Sequence, residues 1–85
     1  MPFQMDHPTA DQILRVFGRN VEFLAARKGI TLKALAADLQ ITGGALSRAR
    51  KATRFIDVEL LLGCARVLDS TADELLHRIE GVTYL

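Results

Sequence analysis

Little in this sequence of 85 residues can cross-link it, and nothing in it is built to cross a bilayer. A single cysteine, Cys64, leaves no partner for an internal disulfide. No apolar run approaches the ~20 residues that span a membrane. Met1 to Pro8 has no basic start followed by an apolar stretch, so no export signal is read and a cytoplasmic protein is expected. Metal chemistry finds no foothold. His7 and His77 lie far apart, and neither stands in ligand spacing with Cys64 or an acid. Asp73 and Glu74 are adjacent, which sends them to different sides of a helix, where first-turn acids suit the helix dipole. No nucleophile, base and orienting group occur together, so neither an enzyme nor a cofactor is expected. There are no repeats and no low-complexity linker.

What is present reads as one small helical domain. A chain of this length has room for one core, burying roughly 60–65% of its unfolded surface, and none for a separate effector domain. Both prolines and both methionines fall within Met1 to Pro8 without periodicity, so residues 1–8 read as an arm, 9–80 as the domain and 81–85 as a tail. Thr9 with Gln12 has the form of a capping box. It opens a long helix on which Ile13, Phe17, Val21 and Leu24 recur at helical steps. Arg27 and Lys28 before Gly29 mark its end. Asp57 caps a fourth helix through Leu68, and Thr71 with Glu74 forms a second capping box for a fifth. Cys64 lies among Leu61, Leu62, Ala65 and Leu68, the place of a buried core thiol. The expected class is all-α, with five helices.

Between the first and fourth helices stands TLKALAADLQITGGALSRARKATR, Thr31 to Arg54. Leu35 and Leu39, then Leu46 and Ala49, keep helical spacing on either side of a break at Gln40. Two helices crossing over so short a turn need a small residue on the inner face of the first, and Ala36 supplies it. Thr31 and Thr42 each precede a helical run and can cap it. The second helix, from about Gly43 to Lys51, turns Ala45, Leu46 and Ala49 inward and Gly43, Gly44, Ser47, Arg48 and Lys51 outward. This is the sequence form of a helix-turn-helix.

Charge adds to that reading. The formal total is only +1, yet Leu39 to Ile56 carries Arg48, Arg50, Lys51 and Arg54 and no acid, leaving a net −3 elsewhere. Such a split fits a face that meets nucleic acid, because cations set over phosphates release counterions.

Thr31, Leu35, Ala36, Ile41, Thr42, Leu46 and Ser47 match the run of the lambda-repressor/Cro-like, or XRE-type, helix-turn-helix family, which the chain therefore resembles. The agreement extends through VELLLGCARVLDSTADELL and covers roughly Phe17 to Leu76. The family usually has Gln where Leu32 stands, Gly at Gln40, Glu at Arg50, Gly at Ala52 and Pro at Ile56. A left-handed Gln40 would cost about 1 kcal/mol. The resemblance implies a compact five-helix DNA-binding domain acting as a dimer on double-stranded DNA, with one helix of each pair in a major groove and an inverted-repeat operator.

Within that frame the base contacts expected are Thr42, Gly43, Gly44, Ser47 and Arg48, with Arg48 able to make two bonds to guanine. Thr31, Lys33, Arg50, Lys51 and Arg54 are the expected phosphate contacts. Arg50 has an alternative: it shares a helical side with Leu46 and can pair with an acid such as Glu22 or Asp57. The glycine pair either lets the backbone approach DNA or marks a surface that no longer reads bases. The end of the chain, VTYL, has strand-favouring side chains and no charge. A homodimer is expected through Leu75, Leu76, Ile79, Val82, Tyr84 and Leu85, the alternative being a tail lying on its own domain. Three functions fit: a transcriptional regulator such as a repressor or controller protein, an antitoxin that also holds a toxin, and a protein-interaction module without base reading.

Overall fold

A computed structural model describes residues 9–51 and 56–84 and contains five α-helices and no strand among them. The helices are α1 (Ala10–Lys28), α2 (Leu32–Asp38), α3 (Gly43–Arg50), α4 (Val58–Val67) and α5 (Ala72–Leu76). Each begins where a side-chain oxygen takes up an orphaned backbone N–H. Thr9 and Gln12 form the full capping box, with Gln12 N donating to Thr9 Oγ1 at 3.2 Å and Thr9 N to Gln12 Oε1 at 2.8 Å. Thr31, Thr42 and Asp57 accept from Ala34, Ala45 and Leu60. At α5 only half of the expected box forms. Thr71 Oγ1 accepts from Glu74 N at 3.0 Å, but the Glu74 carboxylate accepts from the Ser70 hydroxyl instead. Gly29 stops α1 in the left-handed region at φ 82°, where a side chain would be strained.

The long α1 is the spine, packed against α2, α3 and α5, while α4 lies on α2 and α5. Phe17, Val21 and Leu24 of α1 are buried with Leu35, Leu46, Ala49, Cys64 and Leu75. Each large apolar side chain so buried contributes about 1.5–3 kcal/mol. Burial pushes the Cys64 thiol up to about 11, so it carries no thiolate near neutrality. Ala36 is buried where α2 and α3 meet, as its size demands. Gly18 answers a second close approach: a Cβ there would stand 1.9 Å from the Arg50 carbonyl oxygen, so α1 touches the end of α3 backbone to backbone.

The turn before α3 and the turn before α5 have one geometry. Leu39 and Leu68 close the preceding helices, and Gln40 and Asp69 follow in the left-handed region at φ 58° and 55°. Ile41 N then bonds to Ala36 O at 3.0 Å and Ser70 N to Ala65 O at 2.8 Å, before Thr42 and Thr71 cap the next helix. The expected replacement of a turn glycine by Gln40 thus does fall on a left-handed residue.

Beyond α5 the chain returns to α1. Asn20 is fully buried and donates through Nδ2 to Glu74 O, Leu75 O and His77 O at 3.2, 3.0 and 2.8 Å. Its Oδ1 accepts from the Tyr84 hydroxyl, which itself accepts from Ile79 N at 2.9 Å. The tail therefore lies on its own domain through Tyr84.

Candidate nucleic-acid interface

The exposed side of α3 is set by helical geometry alone. Leu46 and Ala49 are driven into the core, which turns Gly43, Gly44 and Arg48 outward, with Lys51 exposed just past the last turn and Ser47 half-buried. Nothing lies within 4 Å of where a Gly43 side chain would begin. Over Gly44 the same position is 3.5 Å from Arg48 Nη1, so the guanidinium extends back across the glycine toward the start of α3. The first turn of α3 is thus bare backbone with one long cation laid along it. No acid stands in that turn.

α2 completes the surface. Thr31 and Lys33 are exposed at its start, and a cleft of about 390 Å³ between α2 and α3 is lined by Leu32, Lys33, Gly43, Ser47 and Arg50 among others. Thr31 and Thr42 use their hydroxyl oxygens as caps and keep a hydroxyl hydrogen to donate.

Arg50 goes elsewhere. Its side chain is 15% exposed and its Nη1 pairs with Glu22 Oε2 of α1, the second of the two roles open to it in the sequence. Arg54 and Leu85, and the arm Met1 to Pro8, lie outside the described residues. Leu75 belongs to the core and Tyr84 to the Asn20 network, while Leu76, Ile79 and Val82 are half-buried. The exposed large apolar side chains among the described residues are Val58 and Leu62, both on α4.

Sequence reasoning missed Asn20, Gly18 and Arg19. A signal existed for Asn20, which sits three residues after Phe17 and four before Leu24, on the apolar stripe of α1. A polar residue there has to find partners indoors. Gly18 and Arg19 gave none, because their partners, Arg50 and Thr83, are set by tertiary packing. Among the described residues no group of three or more His, Cys, Asp or Glu is placed to hold a metal ion, and no helix is long and apolar enough to cross a membrane.

Two short helices crossing over a tight turn, held beneath α1, α4 and α5, define a helix-turn-helix domain of the lambda-repressor-like fold. No family model matches the chain, and no curated protein matches it in sequence. Solved structures do match it. The clp gene regulator ClgR from C. glutamicum aligns with a TM-score of 0.70 at 24% identity, covering 82% of this chain and 87% of that one. A second structure of that regulator aligns with a TM-score of 0.70 at 25% identity, covering 75% of this chain and 68% of that one. The restriction-modification controller protein C.AhdI from Aeromonas hydrophila aligns with a TM-score of 0.67 at 24% identity, covering 73% of this chain and 94% of that one. The five-helix architecture read from the sequence is the one these structures share.

Proposed function

We propose that this chain is a DNA-binding transcriptional regulator that lays α3 in the major groove. One observation carries the proposal: an exposed, acid-free, basic α3, capped by Thr42 and held in a fold shared with gene regulators. Arg48 is the base-reading side chain, with Thr42 and Ser47 beside it and the bare backbone of Gly43 and Gly44 allowing close approach. Thr31, Lys33, Lys51 and Arg54 take phosphates. Two copies related by a two-fold axis would set their α3 helices about 34 Å apart, so the target is an inverted repeat. Leu76, Ile79 and Val82 are candidates for the contact between copies. With so few side chains reaching bases, specificity leans on DNA shape as well.

Fluorescence anisotropy tests this, with the DNA upstream of the chain's own gene set against a scrambled duplex at low and moderate salt. The native site is expected to bind more tightly, with affinity falling steeply as salt rises. Arg48→Ala should remove about 1–3 kcal/mol of that preference. Failure of wild type to bind any duplex at low salt sinks the proposal.

A further inference from the structure

Thr83, Arg19, Glu22 and Arg50, from three separate segments of the chain, form one polar chain across α1. Thr83 O of the tail accepts from Arg19 Nε at 3.1 Å, and Arg19 Nη1 pairs with Glu22 Oε1 at 2.9 Å. The second carboxylate oxygen of Glu22 accepts from Arg50 Nη1. Arg50 is the last residue of α3, and its own carbonyl oxygen is seated against Gly18. Its Nε is buried with no partner. The end of α3 is therefore held at two points by α1, once by backbone and once by charge.

We propose that Glu22 is the positioning residue of α3, and that the tail supports it through Arg19. This rests on the DNA-binding reading above and assigns Arg50 a task different from phosphate contact. A guanidinium paired with a carboxylate, even one it shares with Arg19, has less attraction left for DNA, and one held in place fixes the axis of the helix that carries Arg48. Exposure grades the two pairs: the Arg50 side chain is 15% exposed against 50% for Arg19, so the Glu22–Arg50 link is the stiffer one and the tail is its outer brace. Arg50 also lines the cleft between α2 and α3, so once released it can reach the surface proposed to meet DNA.

The test compares Glu22→Gln, Arg50→Gln and the double reversal Glu22→Arg with Arg50→Glu, reading duplex preference, salt slope and melting temperature together. Glu22→Gln frees a cation, so the slope of log affinity against log salt should steepen by about 0.9, one phosphate contact. Preference for the native site should meanwhile fall roughly threefold to tenfold. Arg50→Gln should lower preference by the same factor with no change in slope, and the double reversal should restore preference. A pair serving only to hold the fold would lower the melting temperature of both single variants and move neither slope nor preference; that result overturns the inference. A fall in slope with Arg50→Gln also overturns it, by showing Arg50 on a phosphate. Wild type binding no duplex at low salt sinks the DNA-binding reading itself, whereas wild type reading its site while Glu22→Gln leaves preference and slope unchanged sinks only this inference.

Discussion

The helices that follow the two matching turns differ in length, charge and fate. After Thr42, α3 runs to Arg50 with two glycines in its first turn and basic side chains at its end. After Thr71, α5 stops at Leu76 and carries Asp73 and Glu74 in its first turn. Leu46 and Leu75 occupy matching places and both are buried, so the two helices start alike against the core. They part where α1 meets them. Gly18 lets α3 complete its last turn against bare backbone, whereas the Asn20 amide takes the carbonyl oxygens of Glu74 and Leu75 that a longer α5 would bond to itself. A turn of this kind sets up a helix without deciding its use. Each helix meets α1 at its end, α3 at Gly18 and α5 at Asn20, while its first-turn chemistry sets what it can meet.

The largest effect that would break this comparison is expected at Asn20. Asn20→Ala removes the amide donor from three carbonyl oxygens and the acceptor of the Tyr84 hydroxyl. Stability should fall by roughly 2–4 kcal/mol, since the hydrogen bonds go and polar groups stay indoors. Hydrogen exchange would locate the loss: amides of α5 and the tail should lose protection while those of α3 keep it. Equal loss in both helices would show that α1 does not treat them separately.

What could be read from the sequence follows the range over which each signal acts. Caps at Thr9, Thr31, Thr42, Asp57 and Thr71, and the stop at Gly29, are local hydrogen-bonding choices, and each bounds a helix where the sequence placed it. The apolar spacing of Phe17, Val21 and Leu24 was legible for the same reason. Glu74 shows the limit: its spacing from Thr71 fits a capping box, but Ser70 stands nearer to hand and takes the carboxylate. Of the candidate site, the outward face of α3 was legible from its period. The sequence leaves the destination of Arg50 open, because the choice between a phosphate and an acid such as Glu22 or Asp57 depends on where α1 passes. The side-chain preferences of the tail leave open a contact between copies or a place on its own domain, and Tyr84 takes the second by bonding a residue 64 positions earlier.

A smaller effect sharpens the comparison at the two turns themselves. Gln40 and Asp69 both sit in the left-handed region, where glycine relieves about 1 kcal/mol. Asp69 tolerates that region better than Gln and also pairs with Lys28 at 2.9 Å, so removing it has a cost that removing Gln40 lacks. Gln40→Gly should therefore stabilise by about 1 kcal/mol and Asp69→Gly by distinctly less, read as shifts in denaturation midpoint. Neither should alter DNA preference. Equal gains would mean that the Lys28 pair contributes nothing, as exposed pairs often do.

The smallest effect bears most directly on use. Gly43 and Ala72 hold matching first-turn places after Thr42 and Thr71, and a methyl group at Gly43 would meet nothing within 4 Å. On propensity alone, Gly43→Ala should stabilise the fold by about 0.5 kcal/mol, less than mid-helix because the first turn is only partly ordered by helix bonds. Ala72→Gly should cost a similar amount. Here α3 carries glycine where α5 carries the better helix former, so its start is weaker than the fold requires. If the bare backbone lies against DNA, the stabilised Gly43→Ala variant should bind the native site more weakly, because its methyl group stands in the contact. Ala72→Gly should leave binding alone. Opposite movements of stability and affinity at residue 43 would tie the missing side chain to DNA approach. A variant that gains stability at undiminished affinity would assign base reading to Arg48 and its neighbours, with Gly43 playing no part.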